Sequence, residues 1–287
     1  MTELKKAGIV LEGGGSRGVF TAGILDYFME QNFYFPYVSG VSAGACNAAN
    51  YVAKQPYRTR KCMIDYLYEN SIYSIKNIVK KKVLIDMDLL FNKIPNDLIP
   101  YDYDTFFASD TRCIMVATNC ETGKADYFEE KKDKDRLMEI CKASSSLPYI
   151  SNIVRVDNKP YLDGGLADSV PVVKALRDGI NRPVLILTRN KGYRKKENES
   201  IDVSKLVYRD YPNLCETIYK RSARYNRVMD YIDKLEADRH VIVIRPEITE
   251  IDRAEQDTEK LTEFYHHGYE MGKKYFETIK EFTKDCE

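Results

Sequence analysis

Histidine is scarce in this chain, with only His240, His266 and His267 among 287 residues. Chemistry that needs a histidine base must draw on one of these three. His240 opens an apolar run, while His266 and His267 are adjacent in a helical pattern and so point to different faces. The seven cysteines (Cys46, Cys62, Cys113, Cys120, Cys141, Cys215 and Cys286) are odd in number, contain no CxxC pair and form no zinc-finger spacing with histidine. Reduced thiols fit that scatter better than a disulfide framework or structural zinc. An excess of charge is also missing: 44 basic residues balance 44 acidic ones, so no field of one sign recommends nucleic acid as a partner. Long apolar runs are lacking too. The N-terminal AGIVL is too short for a signal-peptide core and no segment reaches the length of a transmembrane helix, so a cytoplasmic location is expected.

What is present is an ordinary globular composition, 44% apolar and 31% charged, in a length that admits one large domain or two smaller ones. Charge runs such as EEKKDKDR (129–136) alternate in sign and read as solvated helix faces. AGIVL (7–11) runs into Gly13, Gly14 and Gly15 and predicts a buried parallel strand feeding a tight loop. RGVFTAGILDYFMEQ (17–31) sets Val19, Phe20, Gly23, Ile24, Tyr27 and Phe28 on one helical stripe. FYFPYVSG (33–40) predicts a second strand and SAGACNAANYVA (42–53) a helix of small residues, which together make a βαβ unit. Further strands are predicted at 112–118, 183–188 and 240–246, with hairpin pieces at 124–130 and at 152–162, where Asp157-Asn158 supply the turn. Helical patterns cover 135–144 and 172–179. The expected class is α/β with one mostly parallel sheet. Residues 55–110, tyrosine-rich and helical in pattern, stand outside this alternation, as does the charged helical stretch after 190.

Three short motifs carry the chemistry. Gly13-Gly14-Gly15-Ser16-Arg17-Gly18 lies where a strand ends and a helix begins, so its backbone N–H groups are suited to hold a phosphate or an oxyanion. The spacing also matches a dinucleotide fingerprint, but that motif wants an acidic residue at the end of the second strand, and none lies between Glu30 and Asp65. Gly40-Val41-Ser42-Ala43-Gly44 sits between an apolar strand and a helix of small residues, the setting of a nucleophile elbow. An ordinary strand–helix turn with Ser42 as N-cap is the alternative; about 0.04 such matches arise by chance in a shuffled chain of this composition. A base for Ser42 has two candidates. His267 closes a Ser, Asp, His order, but nothing around it looks built to present a base. Asp163 ends a strand and is followed by Gly164 and Gly165, whose N–H groups are placed to orient its carboxylate; alone, Asp-Gly-Gly is simply a turn.

Together with ASSSLP (143–148), the blocks GGGSRG (13–18), GVSAG (40–44) and DGG (163–165) resemble, in order, the pattern of the patatin-like phospholipases. The likeness covers roughly residues 7–189. It implies a three-layer α/β/α sandwich around a central mostly parallel sheet, and a Ser–Asp dyad without histidine. Ser42 would be the nucleophile, Asp163 the general base, and the N–H groups of Gly14 and Gly15, with Gly13, the oxyanion hole. Arg17, Gly18, Gly40, Gly44, Gly164 and Gly165 support these motifs, Arg17 by fixing the loop or by meeting an anionic head group. Neither metal nor cofactor is implied. The activity implied is hydrolysis of lipid acyl esters, of phospholipase A or lysophospholipase type. The rivals are a hydrolase of small soluble esters or thioesters, a nucleotide- or phosphate-binding protein using the glycine loop, and a catalytically silent binding protein.

The corresponding division is a hydrolase core over 7–189, with 55–110 as a helical lid, and a C-terminal, mostly helical extension over 190–287 that contributes the strand at 240–246. SIKNIVKKKVLI (74–85) combines apolar residues with four lysines, an amphipathic basic pattern fit either to pack on the core or to touch a membrane surface transiently.

Overall fold

The computed structural model describes residues 6–66, 86–196 and 202–286. The basic stretch 74–85 lies outside the described residues. In chain order the elements are β1 (Ala7–Leu11), α1 (Gly18–Glu30), β2 (Tyr37–Val41), α2 (Ala43–Val52), π-helical turns at Lys61–Asp65 and Leu89–Leu98, α3 (Tyr103–Ala108), β3 (Arg112–Asn119), β4 (Ala125–Phe128) and α4 (Lys134–Ser144). They continue with β5 (Val154–Val156), β6 (Lys159–Asp163), α5 (Val172–Arg177), β7 (Arg182–Ile186), α6 (Asp202–Val207), α7 (Pro212–Tyr219), α8 (Arg221–Ala237), β8 (Ile242–Ile244) and α9 (Thr258–Thr283).

One sheet runs in the order β5-β6-β3-β2-β1-β7-β8, with β4 also paired to β3. The pairs from β3 through β2, β1 and β7 to β8 are parallel. On the far side β6 and β4 join β3 antiparallel, and β5 pairs antiparallel with β6. The central strands are buried on both faces, which is why they read as continuous apolar runs. Alternate residues of one strand feed different cores. Ile9, Leu11 and Ile186 pack with α1, α2, α4 and α9, whereas Val10, Leu185 and Leu187 pack with α5 and α8. Helices cover both faces, so the fold is the three-layer α/β/α sandwich. A third cluster, holding Leu162, Leu166, Leu214 and Ile218, lies between β6 and α7.

Local chemistry fixes several ends. Asp133 and Asp257 accept hydrogen bonds from the first-turn amides of α4 and α9. Asp157 and Asn158, with φ of 49° and 64°, form the two-residue turn between β5 and β6. β2 begins at Tyr37 rather than Phe33, because Pro36 offers no N–H to a ladder and Phe33 and Phe35 turn instead into an aromatic cluster with Phe28. β8 is confined to three residues that pair with β7.

The C-terminal helix belongs to the same core as the sheet. α9 crosses α1 at two glycines: a Cβ on Gly23 would lie 2.2 Å from the Tyr265 carbonyl oxygen, and one on Gly268 would lie 2.1 Å from that of Phe20. The backbones touch, and Phe264, Phe276 and Tyr265 fill the space beside the crossing. Gly268→Val should force α9 away from α1 and cost about 2–3 kcal/mol, read as a drop in Tm of roughly 3–5 °C by calorimetry; an unchanged Tm would show that the crossing yields without cost.

Candidate active site

Ser42 occupies the turn between β2 and α2 with φ 57° and ψ −126°. That conformation is strained for any residue with a side chain and persists only where neighbours enforce it. The hydroxyl caps no helix amide, so the N-cap alternative does not account for it. Close approach sets the flanking residues: a Cβ on Gly40 would stand 2.2 Å from the Gly44 carbonyl oxygen, and one on Gly44 2.5 Å from that of Leu11. The Ser42 N–H donates to Ser144 Oγ at 2.8 Å, and Ser144 Oγ donates to the Val116 carbonyl at 2.6 Å. Ser144, in the ASSSLP block, is thus a strut between the elbow and β3.

Asp163 ends β6 and is 2% exposed. Strand register brings it beside Ser42 across 121 residues of sequence: Val116 of β3 pairs with Val41, and its neighbour Ala117 pairs with Asp163. Two strand spacings, roughly 10 Å between backbones, separate the chains, and the side chains converge over β3. The Gly165 N–H donates to Asp163 Oδ1 at 2.7 Å, and the Asp163 N–H donates to the Ser146 carbonyl at 2.7 Å. Gly164 passes so close to β3 that a Cβ would lie 2.1 Å from the Val116 oxygen. Oδ2 is buried without a hydrogen-bond partner among the described residues. Burial pushes the Asp163 carboxyl above the usual range, while the Arg221 guanidinium, the Ser42 hydroxyl and the Gly165 N–H pull in the opposite direction. Arg221 Nε also donates to the Gly165 carbonyl at 3.0 Å, and Arg224 to that of Leu166 at 2.7 Å, so α8 clamps the Asp-Gly-Gly turn.

The glycine loop leaves β1 and rests on the elbow. A Cβ on Gly13 would come within 2.9 Å of Ser42 Cβ, and one on Gly18 within 2.8 Å of Ala43 Cβ. Gly15 has φ +58°, and a Cβ there would lie 2.3 Å from the Arg253 carbonyl oxygen. That carbonyl accepts the Ser16 N–H at 2.9 Å, and the Arg17 N–H goes to Gly14 O. The amides of Gly13, Gly14 and Gly15 enter no hydrogen bond among the described residues. Beneath the loop, the buried Glu12 accepts from the Thr188 N–H at 2.7 Å and from Tyr225 Oη at 2.9 Å. Arg17 is buried, and its Nε has no partner among the described residues.

Ser42 stands on the wall shared by two cavities. One, of about 510 Å³, is lined largely by apolar side chains, including Met63, Met87, Leu90, Phe91, Met138 and Leu147. Residues from the 55–110 stretch therefore wall this cavity. The other, of about 490 Å³, holds Asp163, the glycine loop, Arg17, Lys195 and Arg221. None of the three histidines lines either cavity. His267 accepts the Glu247 N–H at 2.9 Å and packs on Phe20.

A family described as patatin-like phospholipase matches residues 9–176. The chain belongs to the patatin-like phospholipase family. Residues 211–284 match a domain of unknown function, DUF6363. An uncharacterized Escherichia coli (strain K12) protein, YjjU, is 34% identical over 185 residues, which is 63% of this chain and 51% of that protein. The patatin-like chain thus aligns with about half the length of that relative. The crystal structure of VipD from Legionella pneumophila superposes with a TM-score of 0.48 at 12% identity, covering 96% of this chain and 67% of VipD.

Sequence reasoning located the glycine loop, the elbow and the Asp-Gly-Gly turn of this patatin-like site, and missed Glu12, Ser144, Lys195 and Arg221. Only Ser144 had a local signal, its place in ASSSLP. Ser144→Ala removes the acceptor of the Ser42 amide and should cost about 1–3 kcal/mol. Chemical denaturation should show the loss, together with faster hydrogen exchange at Ser42; unchanged exchange there would deny the strut its role. No helix among the described residues is long and apolar enough to cross a membrane.

Proposed function

We propose that this chain is a serine hydrolase of lipid acyl esters that uses Ser42 and Asp163 as a dyad. The observation that carries the reading is the strained Ser42 backbone, which raises the hydroxyl beside a buried carboxylate at the junction of two cavities. Asp163 accepts the hydroxyl proton as Oγ attacks the ester carbonyl. The uncommitted amides of Gly13, Gly14 and Gly15 receive the oxygen as it gains negative charge. A donor of this kind is typically worth about 2.7–4 kcal/mol of transition-state stabilisation. Collapse expels the alcohol, to which Asp163 returns the proton, and leaves Ser42 acylated. Asp163 then deprotonates a water that attacks the acyl-enzyme, and Ser42 is regenerated.

The cavities support an assignment of the two halves of the ester. An acyl chain gains about 0.8 kcal/mol for each buried methylene, which the apolar cavity supplies and the polar one does not. That favours lipid esters over small soluble ones. The fixed Gly165 hydrogen bond leaves Oδ2, the unpartnered oxygen, to take the proton. A nucleotide reading of the glycine loop has less support, because β2 ends in Val41 with no acidic residue at the ribose position.

A fluorophosphonate should label the protein at Ser42, located by mass spectrometry; labelling elsewhere or not at all would overturn the reading. Asp163→Asn should lower kcat/KM for a medium-chain ester about 10²–10⁴-fold, while His267→Ala should leave it within a few-fold. Because burial raises the Asp163 pKa, the base is protonated as pH falls through a value above the ordinary 3.8. The acid limb of the kcat/KM profile should therefore have its midpoint above that value and vanish from the residual activity of Asp163→Asn.

A further inference from the structure

The polar cavity at Ser42 has an unbalanced lining: six cationic side chains face it against three carboxylates. Each carboxylate accepts hydrogen bonds from neutral donors and keeps its charge, so the six cations outnumber the three anions of the lining. Glu12 is held by Thr188 and Tyr225, Asp163 by the Gly165 N–H, and Asp252 by the Ala254 N–H. Among the cations, Arg189 pairs with Glu250 at 2.8 Å. Arg17, Lys195 and Arg221 make no ion pair within 4 Å among the described residues. Arg17 keeps a buried Nε without a partner, and native proteins leave few such donors unsatisfied. Lys195 Nζ lies 3.9 Å from the centroid of the Tyr225 ring, and Arg221 commits its Nε to the Gly165 carbonyl. Burial, and then the neighbouring cation Arg221, push the Lys195 ammonium down to about 7; burial likewise pushes Arg17 and Arg221 below the usual guanidinium range. Glu12 and Asp163 offset part of the positive charge at Lys195 and Arg221, and the excess of cations over carboxylates leaves the lining net positive.

We propose that this cavity is an anion subsite in which Arg17, Lys195 and Arg221 receive a terminal phosphate on the alcohol side of the ester substrate. The inference rests on the reading of Ser42 as nucleophile. Acyl chain and alcohol leave the reacting carbonyl in opposite directions, and Ser42 is on the wall of both cavities, so an acyl chain in the apolar cavity sends the alcohol into the cationic one. A phosphate offers guanidinium and ammonium groups the charge and acceptor oxygens they lack. A zwitterionic head group would carry its own cation into the same potential and is disfavoured. Lys195 and Arg221 lie outside the residues matched by the patatin-like family, and Arg221 lies within those matched by the domain of unknown function. The C-terminal region thereby acquires a role, selection of the head group.

Lipid phosphate and free phosphate share this chemistry, and calorimetric titration separates them. Ser42→Ala protein, which binds without turnover, is titrated with lauroyl glycerol phosphate, with the uncharged lauroyl glycerol and with inorganic phosphate, both lipids below their micellar concentrations. The same measurement stays readable if the dyad reading fails, since it needs no catalysis. The phosphate-bearing lipid should bind about 10- to 100-fold more tightly than the uncharged one. Lys195→Gln and Arg221→Gln, each added to Ser42→Ala, should abolish most of that ratio, and Lys195→Arg should restore it. Either glutamine variant suffices if the other does not fold. Equal affinity for the two lipids overturns the proposal, as does inorganic phosphate binding without lipid discrimination, which would make this a free-anion site. A preference that survives both glutamine variants also overturns it.

Discussion

The elbow at Ser42 depends on contacts that hold an unfavourable backbone against its own relaxation. Gly40 and Gly44 meet so closely that no side chain fits at either, and Ser144 ties the Ser42 amide to the Val116 carbonyl of β3. The same stretch of β3 supports the other half of the site. Ala117 pairs with Asp163, and Gly164 rests on the Val116 oxygen. One strand thus sets the height of both the serine and the carboxylate, and a register slip would turn them to opposite faces of the sheet.

Electrostatics adds a second constraint. Asp163 is buried, so its charge must be sustained by fixed neighbours: the Gly165 amide from the turn itself and, from far along the chain, Arg221 of α8. The same α8 carries Tyr225, which reaches back to Glu12 beneath the glycine loop. The loop is also braced by the Arg253 and Glu255 carbonyls, which accept from Ser16. The C-terminal third therefore packs against the Asp-Gly-Gly turn and the glycine loop and closes one layer of the core through α9.

Much of the fold was legible because its requirements are local. β1 and β7 are apolar runs of strand length, and the two-residue turn at Asp157-Asn158 carries residues that tolerate positive φ. The glycine loop, elbow and Asp-Gly-Gly turn leave a mark in sequence because tight backbone passages admit only small residues. Element ends were less legible. Pro36 delays the start of β2, and β8 pairs over only three residues of β7. Glu12, Lys195 and Arg221 had no local signal, since a charged residue in a polar stretch reads as surface until the fold encloses it.

The sequence by itself determined the layer architecture, through alternating strand and helix periods, and the three backbone motifs, through glycines that sterics require. Only the tertiary structure shows how Asp163 comes beside Ser42, because that depends on β3 pairing with β2 and β6 at adjacent residues. It also decided that the histidines lie away from both cavities, and that cations distant in sequence share one of them. Local sterics are written in neighbouring residues; long-range charge and register come into being only when strands pair and helices pack over them.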